Sequence, residues 1–337
     1  MLWRFPSRGA EMRILISRLG AFGDSIILSS VIHKLKSQGH EIILHTGSRG
    51  VKIFKDSLDV DELIAYKDNS VPNNELVEYL ESFKEKVEAD IHIDYTGSIE
   101  NSLALHPNQP EYSYPRDQRA MLCDKSYYEE AFNWADVEYE RSDLKPHIDY
   151  TKSTEKKAKS YIRPDSFNIL WVMSGSGGNK AYPFTEYVIG EILNKYKNVH
   201  IITVGDYRCK LLESHENEYI TNLSGETDIL TSMCLTKHVD LVISPDTGVL
   251  HASGQFNTPK IGLLGHTSIK NITSTFDNDH SIQANCNCAP CYRLIYGHSW
   301  QCPIDIATGA TWCMSEGMGP ERVFKAVKGV IPDEYRQ

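Results

Sequence analysis

Asp240-Leu241-Val242-Ile243-Ser244-Pro245-Asp246-Thr247-Gly248-Val249-Leu250-His251-Ala252 is the stretch whose reading decides the fold. The apolar run Leu241 to Ile243 reads as a buried strand, and Ser244-Pro245 turns the chain. Asp246 and Thr247 are both good N-cap residues, and the small and apolar residues behind them open a helix. A strand that feeds straight into a helix start suits phosphate, because free N–H groups of the first turn and the helix dipole both favour an anion. Gly248 at the tip lets a ligand approach the backbone. The same pattern fits an ordinary strand–loop–helix connection, so the surrounding segments have to decide.

Those segments repeat it. Arg13 to Ser17 is a short apolar strand, followed by the loop Arg18-Leu19-Gly20-Ala21-Phe22-Gly23-Asp24. Ser25 to Gln38 then reads as a helix, with Ile27, Val31 and Leu35 on one face, and Gly39 closes it. His40 to His45 is the next strand. This β-loop-α-β opening predicts a Rossmann-like sheet. The loop lacks the glycine spacing of the dinucleotide fingerprint, and no acidic residue ends the second strand, which argues against NAD. Asp24 sits where strand becomes helix. It reads either as an N-cap or as a carboxylate at the ligand-bearing edge of the sheet, able to take a proton from a hydroxyl. Glu62–Tyr66 and Asp90–Tyr95 read as strands and Asn73–Ala89 as an amphipathic helix. Residues 106–150 resist assignment, with Pro107, Pro110 and Pro115 breaking regular structure.

In the second half, Phe167 to Met173 is a strong apolar strand, followed by Ser174-Gly175-Ser176-Gly177-Gly178-Asn179-Lys180. A Ser/Gly loop ending in Lys suits phosphate through its N–H groups, hydroxyls and ammonium; a flexible surface turn is the plainer reading. Val199–Val204 is a strand ending at Asp206, which either bonds a ribose or caps a helix. Lys260–Leu264 is another strand, with Gly265-His266-Thr267-Ser268 at its carboxyl end. The chain therefore alternates β and α in both halves.

Composition narrows the function. With 337 residues there is material for two domains, and 41% hydrophobic against 24% charged residues is a globular balance. The net charge of −10 and the lack of a long basic run argue against nucleic acid. No apolar run approaches the roughly 18 residues of a membrane span. The first eleven residues have no apolar core and read as an extension, with Met12 as a natural start, in a cytoplasmic protein.

Taken together, RILISRLGAFGDSIILSSVIHKLK, LWVMSGSGGNKAYPFTEY and DLVISPDTGVLHASGQFNTPKIGLLGHTS resemble glycosyltransferase family 9, the heptosyltransferases of bacterial lipopolysaccharide synthesis. DIHIDYTGSIENSLAL resembles it too, and the likeness covers nearly the whole chain from Met12. The resemblance implies an α/β GT-B fold, with two Rossmann-like domains facing each other across a cleft. Residues 12–160 form the acceptor-side domain and residues 161–318 the nucleotide-sugar domain. Residues 319–337 form a helix that crosses back to the first domain. It also implies inverting transfer from a nucleotide sugar, typically ADP-heptose, to a lipopolysaccharide-type glycan, with peripheral association at the inner membrane left open. The family's catalytic carboxylate falls on Asp24, its phosphate-binding Lys on Lys180 with Ser176 beside it, and its donor-binding helix start on Asp246, Thr247, Gly248 and Val249. His251 falls on the motif's His.

The chemistry suits these residue types. A hydroxyl is a poor nucleophile at neutral pH, so a base such as Asp24 is needed. The departing diphosphate needs cations and N–H donors already in place. No DxD-type arrangement argues for a catalytic metal, and no catalytic cofactor is expected. The cysteines add another feature: Cys286-Asn287-Cys288-Ala289-Pro290-Cys291 is followed by Cys302 and Cys313 at equal intervals. Cys288, Cys291, Cys302 and Cys313 make a candidate site for structural zinc or iron, with Cys286 spare and His298 a substitute; buried free thiols or disulfides are the alternatives. Protein-modifying heptosyltransferases that resemble this chain carry an iron in such a segment, which opens the second reading of a protein acceptor. A sugar-nucleotide binding module without catalysis is the third.

Overall fold

The apolar runs near the start pair side by side. They form β1 (Arg13–Arg18), β2 (Glu41–Thr46), β3 (Glu62–Ala65) and β4 (Ile91–Asp94), a parallel sheet in the order β3-β2-β1-β4. The structure, a computed structural model, describes residues 11–72, 74–98, 102–213, 217–294 and 302–337. Most of the expected N-terminal extension, and His298, lie outside these residues. Helices α1 (Phe22–Ser37), α2 (Ser48–Phe54) and α3 (Leu76–Val87) connect the strands. Ile14, Leu15 and Ile16 are wholly buried, because a central parallel strand is covered on both faces; hence the continuous apolar run. The chain runs outward from β1 to β3 and then returns to β1's other side with β4. The order therefore reverses at β1, and the loop that leads into α1 and Asp24 leaves from that point.

The stretch 106–150 holds two helices, α4 (Arg116–Cys123) and α5 (Tyr127–Ala135). Pro115 occupies the N-cap position of α4, so this proline marks a helix start. The two helices belong to different compact units. One unit is residues 1–99 with 127–151; the other is 100–126 with 152–337. Residues 100–126 and 152–160, assigned to the first domain from sequence, thus pack with the second unit. In the first unit α5 lies against α1, and the Tyr95 hydroxyl donates to the Ala131 carbonyl at 2.6 Å.

The second unit contains β5 (Phe167–Val172), β6 (Val199–Val204), β7 (Ile220–Asn222), β8 (Leu241–Pro245), β9 (Lys260–Leu264) and β10 (Ile282–Gln283). They form a parallel sheet in the order β10-β9-β8-β5-β6-β7. Its helices are α6 (Lys152–Lys159), α7 (Thr185–Lys195), α8 (Ile229–Leu235), α9 (Gly248–Ser253), α10 (Ile269–Ile272) and α11 (Pro320–Lys328). The last helix, expected to return to the first domain, packs on α7 of its own unit. Val323 and Val327 are buried, and the Lys195 ammonium sits 4.7 Å from the Phe324 ring centre. Here too the order reverses, between β5 and β8. The loops after these two strands, 173–184 and 246–247, therefore leave the sheet side by side.

One polar clamp ties down the first unit. Asp59 Oδ2 accepts from His147 Nδ1 at 2.8 Å and from His33 Nδ1 at 2.9 Å, and the two imidazoles stack with centres 3.7 Å apart. Burial works against the Asp59 charge, but the hydrogen bonds from His147 and His33 hold its carboxyl below the usual range. The hydrogen bond to Asp59 outweighs burial at His147 and raises its pKa above 6.5. The Asp59 contribution is present above the ordinary carboxylate range and is lost as pH falls through the lowered value. The His147 contribution is complete below 6.5 and is lost as pH rises through the raised value. Asp59→Asn should therefore destabilise the fold most at about pH 5.5, by about 1 kcal/mol at these part-exposed imidazoles, and least at about pH 9. Thermal melts of both proteins across that range check it.

Candidate functional site

The reversal between β5 and β8 brings two of the sequence-predicted loops together. Lys180 reaches across so that its Nζ donates to the Asp246 main-chain oxygen at 2.7 Å and lies 3.4 Å from Asp246 Oδ2. The approach is close: a Cβ on Gly175 would lie 2.6 Å from Lys180 Cδ and 3.2 Å from Thr247 Cγ2. The loop after β9 adds two groups that the sequence reading quoted without a role. His266 Nε2 is 3.5 Å from Asp246 Oδ2, and the Thr267 hydroxyl donates to the same oxygen at 3.3 Å. His251, one turn into α9, completes the ring with Nε2 at 3.6 Å from Oδ1.

Asp246 is thus a buried carboxylate surrounded by positive and donor groups. Burial opposes its charge, yet Lys180, His251 and His266 together hold its pKa far below the usual range. Burial, reinforced by the Lys180 ammonium, pushes His266 down to about 4, so it is neutral at pH 7. The carboxylate is therefore an anchor for the lysine, and an incoming phosphate would not touch it directly.

The start of α9 remains available to an anion. The Thr247 hydroxyl caps the helix by accepting from the Leu250 N–H at 3.3 Å, and it pairs with the Ser244 hydroxyl at 2.9 Å. The N–H groups of Gly248 and Val249 have no partner among the described residues. Ser176 is exposed, on the loop that leads to Lys180. Asp206 caps the short helix after β6, with Oδ1 accepting from the Arg208 and Cys209 N–H groups at 3.0 and 3.2 Å; this is the capping role of its two sequence readings.

In the first unit, Asp24 is the third residue of α1 and its Oδ2 reaches back to the Ala21 N–H at 2.8 Å. Ala21 has no side-chain acceptor, so this is half of a capping box. The same oxygen lies 2.7 Å from Arg18 Nη2. Oδ1 has no protein partner among the described residues. Sequence alone gives Arg18 no role, since an arginine at the end of a strand has many ordinary uses.

Cys288, Cys291, Cys302 and Cys313 line one cavity, together with Gly265, His266, Asn179, Arg293 and Tyr112. Cys286 is outside the lining, with its sulfur 3.6 Å from that of Cys288. Burial and the neighbouring thiols push Cys288 and Cys302 up to about 12 and Cys313 up to about 11. Backbone holds the segment: Arg119 Nε donates to the Cys291 carbonyl at 2.8 Å, and the Cys291 and Tyr292 N–H groups both donate to the His266 carbonyl. Among the described residues the groups whose ligand atoms lie within 4.8 Å of one another are His33, Asp59 and His147, and Glu155, Cys234 and His238. The cavity sulfurs thus stand wider than a tetrahedral thiolate site, where neighbouring sulfurs are roughly 3.8 Å apart given metal–sulfur bonds of about 2.3 Å.

Two parallel α/β sheets, with loops leaving where the strand order reverses, are the architecture of the GT-B fold. The sequence matches the family described as glycosyltransferase family 9 (heptosyltransferase) over residues 85–295, and the chain belongs to that family. The match begins after Asp24 and ends before Cys302. Among solved structures, it resembles a family 9 glycosyltransferase from Veillonella parvula, with TM-score 0.63 and 13% identity over 96% of this chain and 99% of that one. It resembles the ADP-heptose lps heptosyltransferase II of E. coli, with TM-score 0.61 and 15% identity over 95% and 98%. A third is TibC, an iron-containing dodecameric glycosyltransferase from enterotoxigenic E. coli, with TM-score 0.60 and 9% identity over 95% and 76%. At these identities the likeness is one of fold. Comparison with curated protein sequences gives no match. No helix among the described residues is long and apolar enough to cross a membrane.

Removing the anchor tests the arrangement. Asp246→Ala leaves Lys180 without its carboxylate and should cost about 3 kcal/mol, the scale for breaking a buried pair. Urea unfolding of the variant beside the parent protein measures it.

Proposed function

We propose that the enzyme moves a heptose from ADP-heptose to a hydroxyl of a lipopolysaccharide-type glycan, with inversion, in the cytoplasm. The observation that carries the donor side is the Lys180–Asp246 contact at the start of α9, where an ammonium and two unpartnered N–H groups sit on neighbouring loops. Heptosyltransferase II is named for ADP-heptose, and TibC has been crystallised with ADP-D-beta-D-heptose, which supports the same donor here. In this reading the acceptor hydroxyl gives its proton to Asp24 Oδ1 as its oxygen bonds the anomeric carbon. The bond from that carbon to the diphosphate breaks, and its electron pair leaves on the diphosphate oxygen. Lys180 and the N–H groups of Gly248 and Val249 stabilise the charge that develops there. Thr247 and Asp246 hold that helix start and the lysine in place, His251 supports the carboxylate, and Ser176 is a hydroxyl donor to the same diphosphate. Asp206 shapes the loop beside the nucleotide through its cap.

A second reading concerns the acceptor. The donor set of the thiol cavity fits zinc or iron: four cysteines face one space, and a bound cation would replace their protons and draw the sulfurs together. Cys288, Cys291, Cys302 and Cys313 would hold such an ion, which supplies a structural crosslink. The iron content of TibC makes this worth testing together with a protein acceptor, as in a protein O-heptosyltransferase.

Calorimetry with ADP, GDP, UDP and NAD should show selective ADP binding, weakened about 10- to 100-fold by Lys180→Ala, the scale of one charged hydrogen bond. A preference for UDP or GDP would discard heptose. Asp24→Ala should keep ADP binding and lose about 100- to 10,000-fold in turnover. Elemental analysis of the purified protein should find one zinc or iron per chain, and Cys291→Ser should remove it. Offering heptose-less lipopolysaccharide and a bacterial surface protein side by side decides between the acceptors.

A further inference from the structure

The loop between β1 and α1 contains a feature that the proposed chemistry does not yet use. Arg18 is one of the largest wholly buried side chains, with 2% of its side chain exposed, and Asp24 retains 18%. The guanidinium is fixed at both ends of its fork. Nη1 donates to the Tyr95 carbonyl, just beyond β4, at 2.7 Å, and Nη2 lies 2.7 Å from Asp24 Oδ2. The Ala21 N–H donates to the same Oδ2 at 2.8 Å. A guanidinium and a main-chain N–H thus meet the same carboxylate oxygen, Oδ2, and Oδ1 has no partner among the described residues. Gly20 is part of the same arrangement. A Cβ there would lie 2.6 Å from Asp24 Oδ2 and 2.8 Å from Arg18 Nε, inside the space the pair occupies.

We infer that Arg18 is a positioning residue for transfer. It holds the Asp24 carboxylate so that Oδ1 alone meets the acceptor hydroxyl, and Gly20 leaves the space in which the pair closes. The inference rests on the reading of Asp24 as the base. A burial-only role for Arg18 would be served by an apolar side chain, yet the guanidinium spans from the end of β4 to α1 and ends on the Asp24 carboxylate of that helix. It is planar and rigid, which suits a fixed angle better than a lysine's flexible stem. Misplacement of a reacting group by about 1 Å costs a rate factor of about 100, so the hold on Asp24 should appear in kcat.

Four variants test this, with ADP release from ADP-heptose followed both with water as the sole acceptor and with heptose-less lipopolysaccharide. Arg18→Gln should lower kcat about 100-fold with KM for ADP-heptose within about twofold, and Arg18→Lys should recover about a tenth of the parent rate. Gly20→Ala keeps both charged groups and clashes only with the ends of flexible side chains, so the chain folds while the pair opens. It should show the same loss in kcat, with unchanged ADP affinity. Parent-like kcat in both Gly20→Ala and Arg18→Gln, with Asp24→Asn inactive, would overturn the positioning role and leave the base in place. An active Asp24→Asn would instead remove the base itself, and the inference with it. Equal losses in Arg18→Lys and Arg18→Gln, accompanied by lowered thermal midpoints, would reduce Arg18 to a packing residue.

Discussion

An ionised carboxylate in a protein interior has to be compensated on every side, and Asp246 is such a group. Its partners come from the loop after β5, from α9 and from the loop after β9. Compensation therefore joins three separate connections at one end of the second sheet. Lys180 is held by a main-chain oxygen as well as by the carboxylate, so its ammonium is placed without a ligand. The N–H groups at the start of α9 are placed by the same contacts, since Thr247 follows directly and caps the helix. A diphosphate meeting these groups would find donors already oriented, which is the condition for stabilising a leaving group without reorganisation.

How much of this was legible in the sequence follows from local physics. Strands β1, β5, β6, β8 and β9 could be read because parallel strands covered on both faces must be continuously apolar. β7 and β10 have three and two residues, too few to show a period. α4 and α5 were hidden by prolines read as breaks, although Pro115 sits where a helix begins. The passage of residues 100–126 into the second unit leaves no local mark at all, because it is a property of packing and not of any segment. Within the site, Lys180, Asp24 and the Asp246 loop stood out as charged or cap-forming residues behind strands. Arg18 and His266 stood behind strands as well, but only the sheet order and side-chain geometry show what they touch.

The thiol cavity is physically joined to the Asp246 cluster. His266 lines the cavity and also faces the Asp246 carboxylate, and its carbonyl accepts the N–H groups of Cys291 and Tyr292. Asn179 lines it next to Lys180 and accepts from the Thr311 hydroxyl at 3.4 Å. The cysteine segment is thus the outer support of the loops that carry the anchor. Burial first, and the neighbouring thiols after it, push Cys288, Cys302 and Cys313 upward together. A cation in that space would reverse the balance and tighten the segment against His266.

The two units use the same pairing of carboxylate and cation to opposite ends. In the second unit the acid is the fixed partner: Asp246 is almost wholly enclosed, and the group it keeps in position is the lysine. In the first unit the cation is the enclosed partner: Arg18 is buried, and the Asp24 carboxylate beside it is the more exposed. In each case the more buried member sits against strand or loop backbone, and the less buried member projects at the end of the sheet. An ammonium at a helix start suits a departing diphosphate, and a carboxylate with one oxygen unpartnered suits a proton. In the proposed transfer, reversing either pair would place an anion where the leaving charge develops, or a cation where the proton has to go.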